Sequence, residues 1–271
     1  MPVQDEDVKL LLNDLIDRYG YDFTGYAAAS LKRRINRLFD LDRFPSFAEF
    51  RFKINNDADY FLRLVEELTV NVTEMLRDPL FYKALREEVI PVLATYPFIR
   101  IWHAGCSTGE EVYSMAILLT EAGLFQKSRL YATDINPKVL EIARKGIYPA
   151  SQMRKYSENY IQSGGKQDFS TYYTSNYNLA KFDKILSEKM IFATHNLVSD
   201  SSFNEFQLIL CRNTLIYFDR DLQSRVLQLF NSSLEPLGFL GLGTKESLKF
   251  SPIDGNFKVA VPGQKIWRKI K

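Results

Sequence analysis

A chain of 271 residues, 46% hydrophobic and 25% charged, is long enough for one large domain, or a small and a medium one, around a well-buried core. Its net charge of +2 gives no bulk attraction to nucleic acid, and no apolar run approaches the roughly 20 residues that span a bilayer. No secretory leader is visible, and the two cysteines sit in different motifs, so a reducing cytoplasm is the expected compartment; two distant histidines argue against a His-rich metal site.

Residues 1 to about 70 read as helical. Val8, Leu11, Leu12, Leu15 and Ile16 recur at helical spacing, and Gly20 supplies a stop. A second helix is expected over residues 27–39. A third opens at Pro45-Ser46 and runs to Leu68, with a break near Asn55-Asn56. The second helix carries Lys32, Arg33, Arg34 and Arg37; such a charge run is usually a solvated face. Beyond it, short apolar runs at 99–104, 129–133, 190–193, 206–211 and 239–243 alternate with amphipathic segments at 111–122, 137–145 and 219–234. This alternation predicts an α/β fold with a mostly parallel, doubly wound sheet. Residues 258–270, broken by Pro262-Gly263, suggest an antiparallel hairpin at the sheet edge. Between Tyr148 and Lys189 the alternation stops in a polar, Tyr-rich stretch, read either as an inserted subdomain or as a solvated excursion.

The most informative stretch is Arg100-Ile101-Trp102-His103-Ala104-Gly105-Cys106-Ser107-Thr108-Gly109-Glu110-Glu111. A strand ends in a small-residue turn and a helix begins at once, the geometry in which backbone approaches a nucleotide-like ligand closely. Gly105 and Gly109 supply the room. Two carboxylates at the helix start, with no Lys, would repel a pyrophosphate; ribose hydroxyls and a positive centre suit the site better, and S-adenosylmethionine has both. Asp134, just past the second strand, can accept hydrogen bonds from ribose hydroxyls or cap the helix that starts near Pro137.

The string Ala104–Glu111 resembles the cofactor loop of the CheR-type chemotaxis receptor methyltransferases. Three further motifs agree in order: Asn71-Val72-Thr73-Glu74-Met75-Leu76-Arg77-Asp78, Ala132-Thr133-Asp134-Ile135-Asn136, and Cys211-Arg212-Asn213-Thr214-Leu215-Ile216-Tyr217-Phe218-Asp219. The resemblance covers nearly the whole chain. It implies an N-terminal helical domain over residues 1–78, and a Rossmann-like methyltransferase domain over 79–271 with a small antiparallel β-subdomain inserted at about 148–189. It implies methyl transfer from S-adenosylmethionine to glutamate side chains of chemoreceptors, leaving S-adenosylhomocysteine. The cofactor contacts carried over are Asn71, Thr73, Arg77, Gly105, Glu110, Asp134, Asn196, Leu197, Arg212 and Asn213, with Asn196-Leu197 at the adenine. Arg77 and Tyr217 are the residues expected to align the reacting groups; their bland counterparts are a surface arginine and a core tyrosine. Arg33, Arg34 and Arg37 would meet the acidic, helical methylation region of the receptor, and in some family members the inserted subdomain docks a peptide at the receptor C-terminus. A cytoplasmic monomer recruited to membrane receptor arrays is expected, with no nucleic acid and no membrane insertion.

Three departures from the family pattern stand out. Met75 and Leu76 replace two aromatics before the motif arginine and would alter the substrate channel. Gln207 replaces an acidic residue, and Lys245-Glu246 replaces Ser-Glu. None removes a proposed cofactor group. The chemistry needs no general base, because a glutamate carboxyl, with reference pKa near 4.3, is already ionised at neutral pH. His195 is therefore a structural neighbour. The protein's task is to align oxygen, methyl and sulfur, an effect that reaches roughly 7–11 kcal/mol at its upper range. The rival readings are a regulatory module that binds cofactor without turnover, or an enzyme of the same family in a non-motility pathway. An RNA methyltransferase would want a broader basic surface and stacking platforms.

Overall fold

The computed structural model describes residues 3–271 and opens with four helices: α1 (Asp5–Tyr19), α2 (Ala28–Leu41), α3 (Phe47–Asn56) and α4 (Ala58–Leu68). Local chemistry sets their ends. Asp7 accepts from the Gln4 N–H, which closes a capping box at the start of α1, and Gly20 ends it in the left-handed region at φ 72°. Ser46 caps α3 and Asp57 caps α4, so the expected break falls at Asp57, one residue beyond Asn56. Each helix buries one stripe. Phe61, Leu64, Val65 and Leu68 of α4 pack on Leu31, Ile35, Leu38 and Phe39 of α2, each fully buried side chain contributing about 1.5–3 kcal/mol.

A loop over residues 69–78 leads into α5 (Pro79–Ala84), a π-turn at Leu85–Val89 and α6 (Ile90–Leu93). The π-turn ends at Val89, two residues before Pro91, which has no N–H to extend a regular ladder. The α/β region then follows as expected: β1 (Ile99–Ala104), α7 (Glu110–Glu121), β2 (Ser128–Asp134), α8 (Pro137–Lys145), and, after the insertion, β6 (Met190–Thr194), β7 (Phe206–Cys211), α11 (Arg220–Ser233) and β8 (Leu234–Leu242). The hairpin comprises β9 (Phe257–Val259) and β10 (Ile266–Lys269). The sheet order is β6-β2-β1-β7-β8-β10-β9, parallel from β6 to β8 and antiparallel beyond. Ile99 and Ile101 face one core while Trp102 and Ala104 face the other; burial on both sides explains the continuous apolar runs. β8 starts five residues earlier than residue 239, because residues 235–238 bulge out: Phe206 opposes Leu234, whereas Leu208 opposes Phe239.

The insertion is a three-stranded antiparallel sheet of β3 (Ile147–Pro149), β4 (Tyr173–Asn176) and β5 (Leu179–Phe182), in the order β3-β5-β4. It also holds α9 (Met153–Gln162), followed by the short α10 (Lys184–Ser187). The α9 helix was not read from the sequence. Its buried face is Met153, Tyr156, Asn159 and Tyr160, so aromatic and polar residues stand where an aliphatic stripe would have signalled it. Tyr160 and Tyr172 donate to the Glu121 carboxylate, which also pairs with Arg86, and so tie the insertion to α7 and the π-turn.

Candidate active site

In this sheet the chain order reverses between β1 and β7, and their carboxyl ends open a cleft of roughly 930 Å³ including its mouth. Gly105, with φ 76°, turns the chain out of β1; a Cβ there would lie 2.5 Å from Thr214 Oγ1, so only Gly permits the approach of the two loops. Asp134, at the end of β2, accepts from the Ser107 N–H at 2.8 Å and from the Asn136 N–H at 3.0 Å. It does not cap α8. Asn136 does, accepting from the Lys138 N–H at 3.0 Å, which removes the capping reading of Asp134. Burial pushes the Asp134 carboxyl above its ordinary value against the pull of those N–H groups, and each oxygen retains lone pairs for a ligand.

Asn71, Thr73 and Arg77 line the same cleft from the loop before α5. That loop is pinned on three sides: the Leu76 N–H donates to Ser114 Oγ at 2.9 Å, Asn159 Nδ2 donates to the Met75 carbonyl at 2.9 Å, and Arg212 Nη2 donates to the Arg77 carbonyl at 2.9 Å. Arg77 itself donates to the Val72 carbonyl at 3.1 Å. Met75 and Leu76 are wholly buried in the core and do not line the cleft, which corrects the expectation that they shape a substrate channel. The replacement of aromatics there is a packing change.

From the end of β7 come Arg212, Asn213 and Tyr217. Arg212 pairs with Asp78 at 2.7 Å and with Glu111 at 3.5 Å, and lies 4.2 Å over the Phe81 ring. It therefore acts as a buried brace between β7, α7 and the 71–78 loop as well as a cleft wall. Asn213 has φ 62°, and its N–H and that of Leu215 end on Glu246, which also takes the Gly243 N–H at 2.6 Å. Glu246 of the unusual Lys245-Glu246 pair thus sets the loop, a role its sequence position did not reveal. Gln207, another departure, takes the Arg100 N–H at 2.6 Å in the interior of the sheet.

Asn196 and Leu197 line the cleft after β6, with Asn196 also shaping its own turn by accepting from the Val198 N–H at 2.9 Å. His195 lies edge-on to Trp102, with ring centroids 5.3 Å apart. Glu110 is placed differently from expectation. Its carboxylate accepts from Thr108 Oγ1 at 2.6 Å and does not line the cleft; Glu111 does. Burial opposes the charge on Glu111, but His103, at 2.9 Å, and Arg212 outweigh it and hold its carboxyl below the ordinary value. The second glutamate of the pair was in view in the sequence, but only tertiary packing shows which of the two turns inward. Tyr26, from the segment between α1 and α2, lines the cleft as well and had no sequence signal. Arg33, Arg34 and Arg37 lie on α2, away from the cleft; Arg33 and Arg37 are exposed, while Arg34 is half-buried and donates to the Glu67 carbonyl at 3.0 Å.

Two observations describe the ligand this cleft fits. Ser107 Oγ, Asn213 Oδ1 and His195 Nδ1 are buried at the cleft without a hydrogen-bond partner among the described residues, so the ligand is richly polar. Three carboxylates, on Glu74, Glu111 and Asp134, stand against two guanidinium groups, on Arg77 and Arg212, which favours a cation over a phosphate. S-adenosylmethionine, with its ribose and sulfonium, meets both conditions. Among the described residues no cluster suited to a metal ion is present, and no helix is long and apolar enough to cross a membrane.

Comparison with known proteins agrees. Residues 71–260 match the model of the CheR methyltransferase S-adenosylmethionine-binding domain, and residues 6–69 match that of the CheR methyltransferase all-α domain. A Pseudomonas putida protein named "Putative methyltransferase Cher3" is 48% identical over 98% of this chain and 97% of its own length. The chemotaxis protein methyltransferase of Listeria innocua is 31% identical over 87% of each chain, and that of Salmonella typhimurium is 32% identical over 80% of this chain and 74% of its own. An all-α domain followed by a cofactor-binding domain is thus matched over most of the chain, which belongs to the CheR family of S-adenosylmethionine-dependent methyltransferases.

Proposed function

We propose that this chain transfers the methyl group of S-adenosylmethionine to glutamate side chains on the cytoplasmic helices of chemoreceptors, forming glutamate methyl esters and S-adenosylhomocysteine. The observation that carries the reading is the meeting of Arg77 and Tyr217 at one cleft with Asp134, Asn196 and Asn213. Relatives named as chemotaxis protein methyltransferases support the substrate class.

The cofactor, when bound, supplies an electrophilic methyl on a positively charged sulfur. Everything else asked of the chain is orientation. Asp134 holds the ribose, Asn196 and Leu197 the adenine, and Asn71 and Thr73 the amino-acid end. Arg77 spends one donor on Val72 and directs its remaining ones at a carboxylate in fork geometry. Its backbone is fixed by Arg212, so the guanidinium starts from a rigid base. Tyr217 sits in a short turn whose carbonyl is held by the Ala27 N–H at 2.9 Å, and its hydroxyl orients the incoming oxygen. No residue needs to accept a proton, because the substrate carboxylate is ionised. The cleft's modest acidic surplus, mainly Asp134 and Glu111, favours the cationic reactant.

The test is incubation of the protein with methyl-labelled cofactor and membranes bearing individual chemoreceptors. Base-labile label on a receptor band is the expected result. Label confined to another protein would redirect the substrate assignment, and absence of any transfer despite cofactor binding would favour a regulatory module without turnover.

A further inference from the structure

β1 changes character at its end. Ile99 and Ile101 face the core that α7 shares, and by the two-residue period of a strand His103 continues that side. An imidazole thus stands where a third aliphatic residue would pack, and it is wholly buried. Its Nδ1 lies 2.9 Å from Oε1 of Glu111, in the first turn of α7. Burial opposes the charge on Glu111, yet His103 and Arg212 keep the carboxyl below its ordinary value, so Glu111 accepts and Nδ1–H donates. The other ring nitrogen, Nε2, is buried without a hydrogen-bond partner among the described residues. A buried imidazole with one nitrogen unmet is a poor choice for packing alone, where an aliphatic side chain would leave nothing unpaired.

Glu111 is held from two sides. Arg212 Nη1 stands 3.5 Å from its other oxygen, and Nη2 of the same guanidinium donates to the Arg77 carbonyl at 2.9 Å and to Asp78 at 2.7 Å. The carboxylate is thereby tied to the 71–78 loop, whose Asn71 and Thr73 take the amino-acid end of the cofactor under the proposed function. Glu110 shows the alternative open to a carboxylate at this helix start. It accepts from Thr108 in the turn just before the helix and does not line the cleft, whereas Glu111, bonded to β1, does.

We propose that His103 is a positioning residue of the cofactor site: with Arg212 it keeps the Glu111 carboxylate turned into the cleft, where Glu111 accepts from the α-ammonium group of the cofactor. This role rests on the placing of the cofactor's amino-acid end at the 71–78 loop. His103 touches no reacting atom and acts only through Glu111.

The test is calorimetric titration of the full chain with S-adenosylhomocysteine, which keeps the ammonium group. His103→Leu keeps bulk and removes the donor, so affinity should fall about three- to thirtyfold. His103→Asn, whose amide nitrogen falls at the Nδ1 position, should recover most of the loss. Glu111→Gln should itself bind less tightly, and adding His103→Leu to it should bring no further loss. With S-adenosylhomocysteine lacking its α-amino group, wild type and His103→Leu should bind alike. Equal affinity of wild type and His103→Leu for the intact ligand would overturn the proposal. So would a penalty that persists beside Glu111→Gln or with the deamino ligand, because a merely structural role predicts the same loss in every case. If His103→Leu does not fold, as read by ligand-free unfolding, His103→Gln takes its place. Its amide reaches the Nε2 position instead, and affinity equal to that of His103→Asn would overturn the proposal. Wild type that fails to bind S-adenosylhomocysteine at all would remove the cofactor reading of the cleft, and this role with it.

Discussion

Three backbone N–H groups, those of Asn213, Leu215 and Gly243, end on the carboxylate of Glu246, and around them the chain passes from β7 and β8 into the cleft wall. Glu246→Ala leaves these donors buried and unmet, so unfolding free energy should drop by about 2–4 kcal/mol, measured as a shift of the urea midpoint at constant slope. Affinity for S-adenosylhomocysteine should fall with it, because Asn213 holds a left-handed backbone only while its neighbours are tethered. Asp134 likewise takes two buried backbone N–H groups, those of Ser107 and Asn136, and in the proposed function it also holds ligand. Asp134→Ala should cost roughly 2–5 kcal/mol of S-adenosylhomocysteine affinity by calorimetry, the value of charge-assisted bonds to ribose hydroxyls. For the pair proposed to align the reacting groups, Arg77→Ala and Tyr217→Phe should fold normally and lower methyl transfer. Tyr217→Phe should keep its cofactor affinity, as expected of a contact that matters mainly in the transition state. Wild-type turnover by both variants would refute the alignment mechanism.

Among elements, α9 and the inserted sheet are the pieces that a stripped-down methyltransferase domain would lack, and one buried ion cluster secures them. Glu121 near the end of α7 accepts from Tyr160 and Tyr172 and pairs with Arg86. Burial by itself would raise the Glu121 carboxyl; the bonds from Tyr160, Arg86 and Tyr172 outweigh it and hold the group below the ordinary carboxylate value. A carboxyl depressed in the folded state contributes stability that is complete above its unfolded pKa, near 4.3, and is lost as pH falls through the folded value. Glu121→Gln leaves Arg86 buried without its counter-charge and should destabilise the protein by about 3 kcal/mol at pH 7, the lower end of the range for a broken buried pair because Gln keeps an acceptor for Tyr160. The gap between variant and wild type should narrow below about pH 4. Denaturant titrations at pH 7 and pH 3.5 decide it; a gap independent of pH would mean that the charge on Glu121 is not what matters.

At the scale of the molecule, contacts between the helices α1–α4 and the α/β region include the 22–27 segment, Ile135 buried in the helical core, Lys138 paired with Glu66 at 3.3 Å, and Asn136 Nδ2 reaching Thr69 Oγ1 at 3.4 Å. The basic face of α2 begins directly after that first contact. Its arginines are not equivalent. Arg33 and Arg37 are exposed, with Arg37 loosely paired to Glu67 at 3.3 Å, whereas Arg34 serves the C-terminal end of α4. Arg33→Ala with Arg37→Ala should leave stability nearly unchanged and lower receptor methylation roughly two- to tenfold at low salt. The defect should shrink as salt rises, since screening acts over about 8–10 Å. Arg34→Ala should instead lower stability by about 1 kcal/mol. Methylation rates at two ionic strengths check the first statement; equal rates at low salt would end the substrate-contact role of this face.

Much of the fold was legible in the sequence because its signals are local. Signals such as Ser46 and Gly20, apolar spacing along α1, and the apolar runs of β1 and β7 depend on residues a few positions apart, and each of these elements formed within a few residues of its expected bounds. The cleft loops were legible for a related reason: a strand ending in Gly105 and a carboxylate ending the next strand are set by the doubly wound topology itself. What only the tertiary structure decided is which side chains face one another across it. Whether Glu110 or Glu111 turns inward depends on His103 and Arg212; the roles of Arg212 and Glu246 depend on partners 134 and 31 residues distant in sequence. The buried face of α9 is Tyr and Asn, and carries no aliphatic period to read. Tyr26 reaches the cleft only because the 22–27 segment is bridged to Phe218 across the domain boundary. Such pairings follow from sheet register and domain docking, which bring distant residues together through packing that no local pattern encodes.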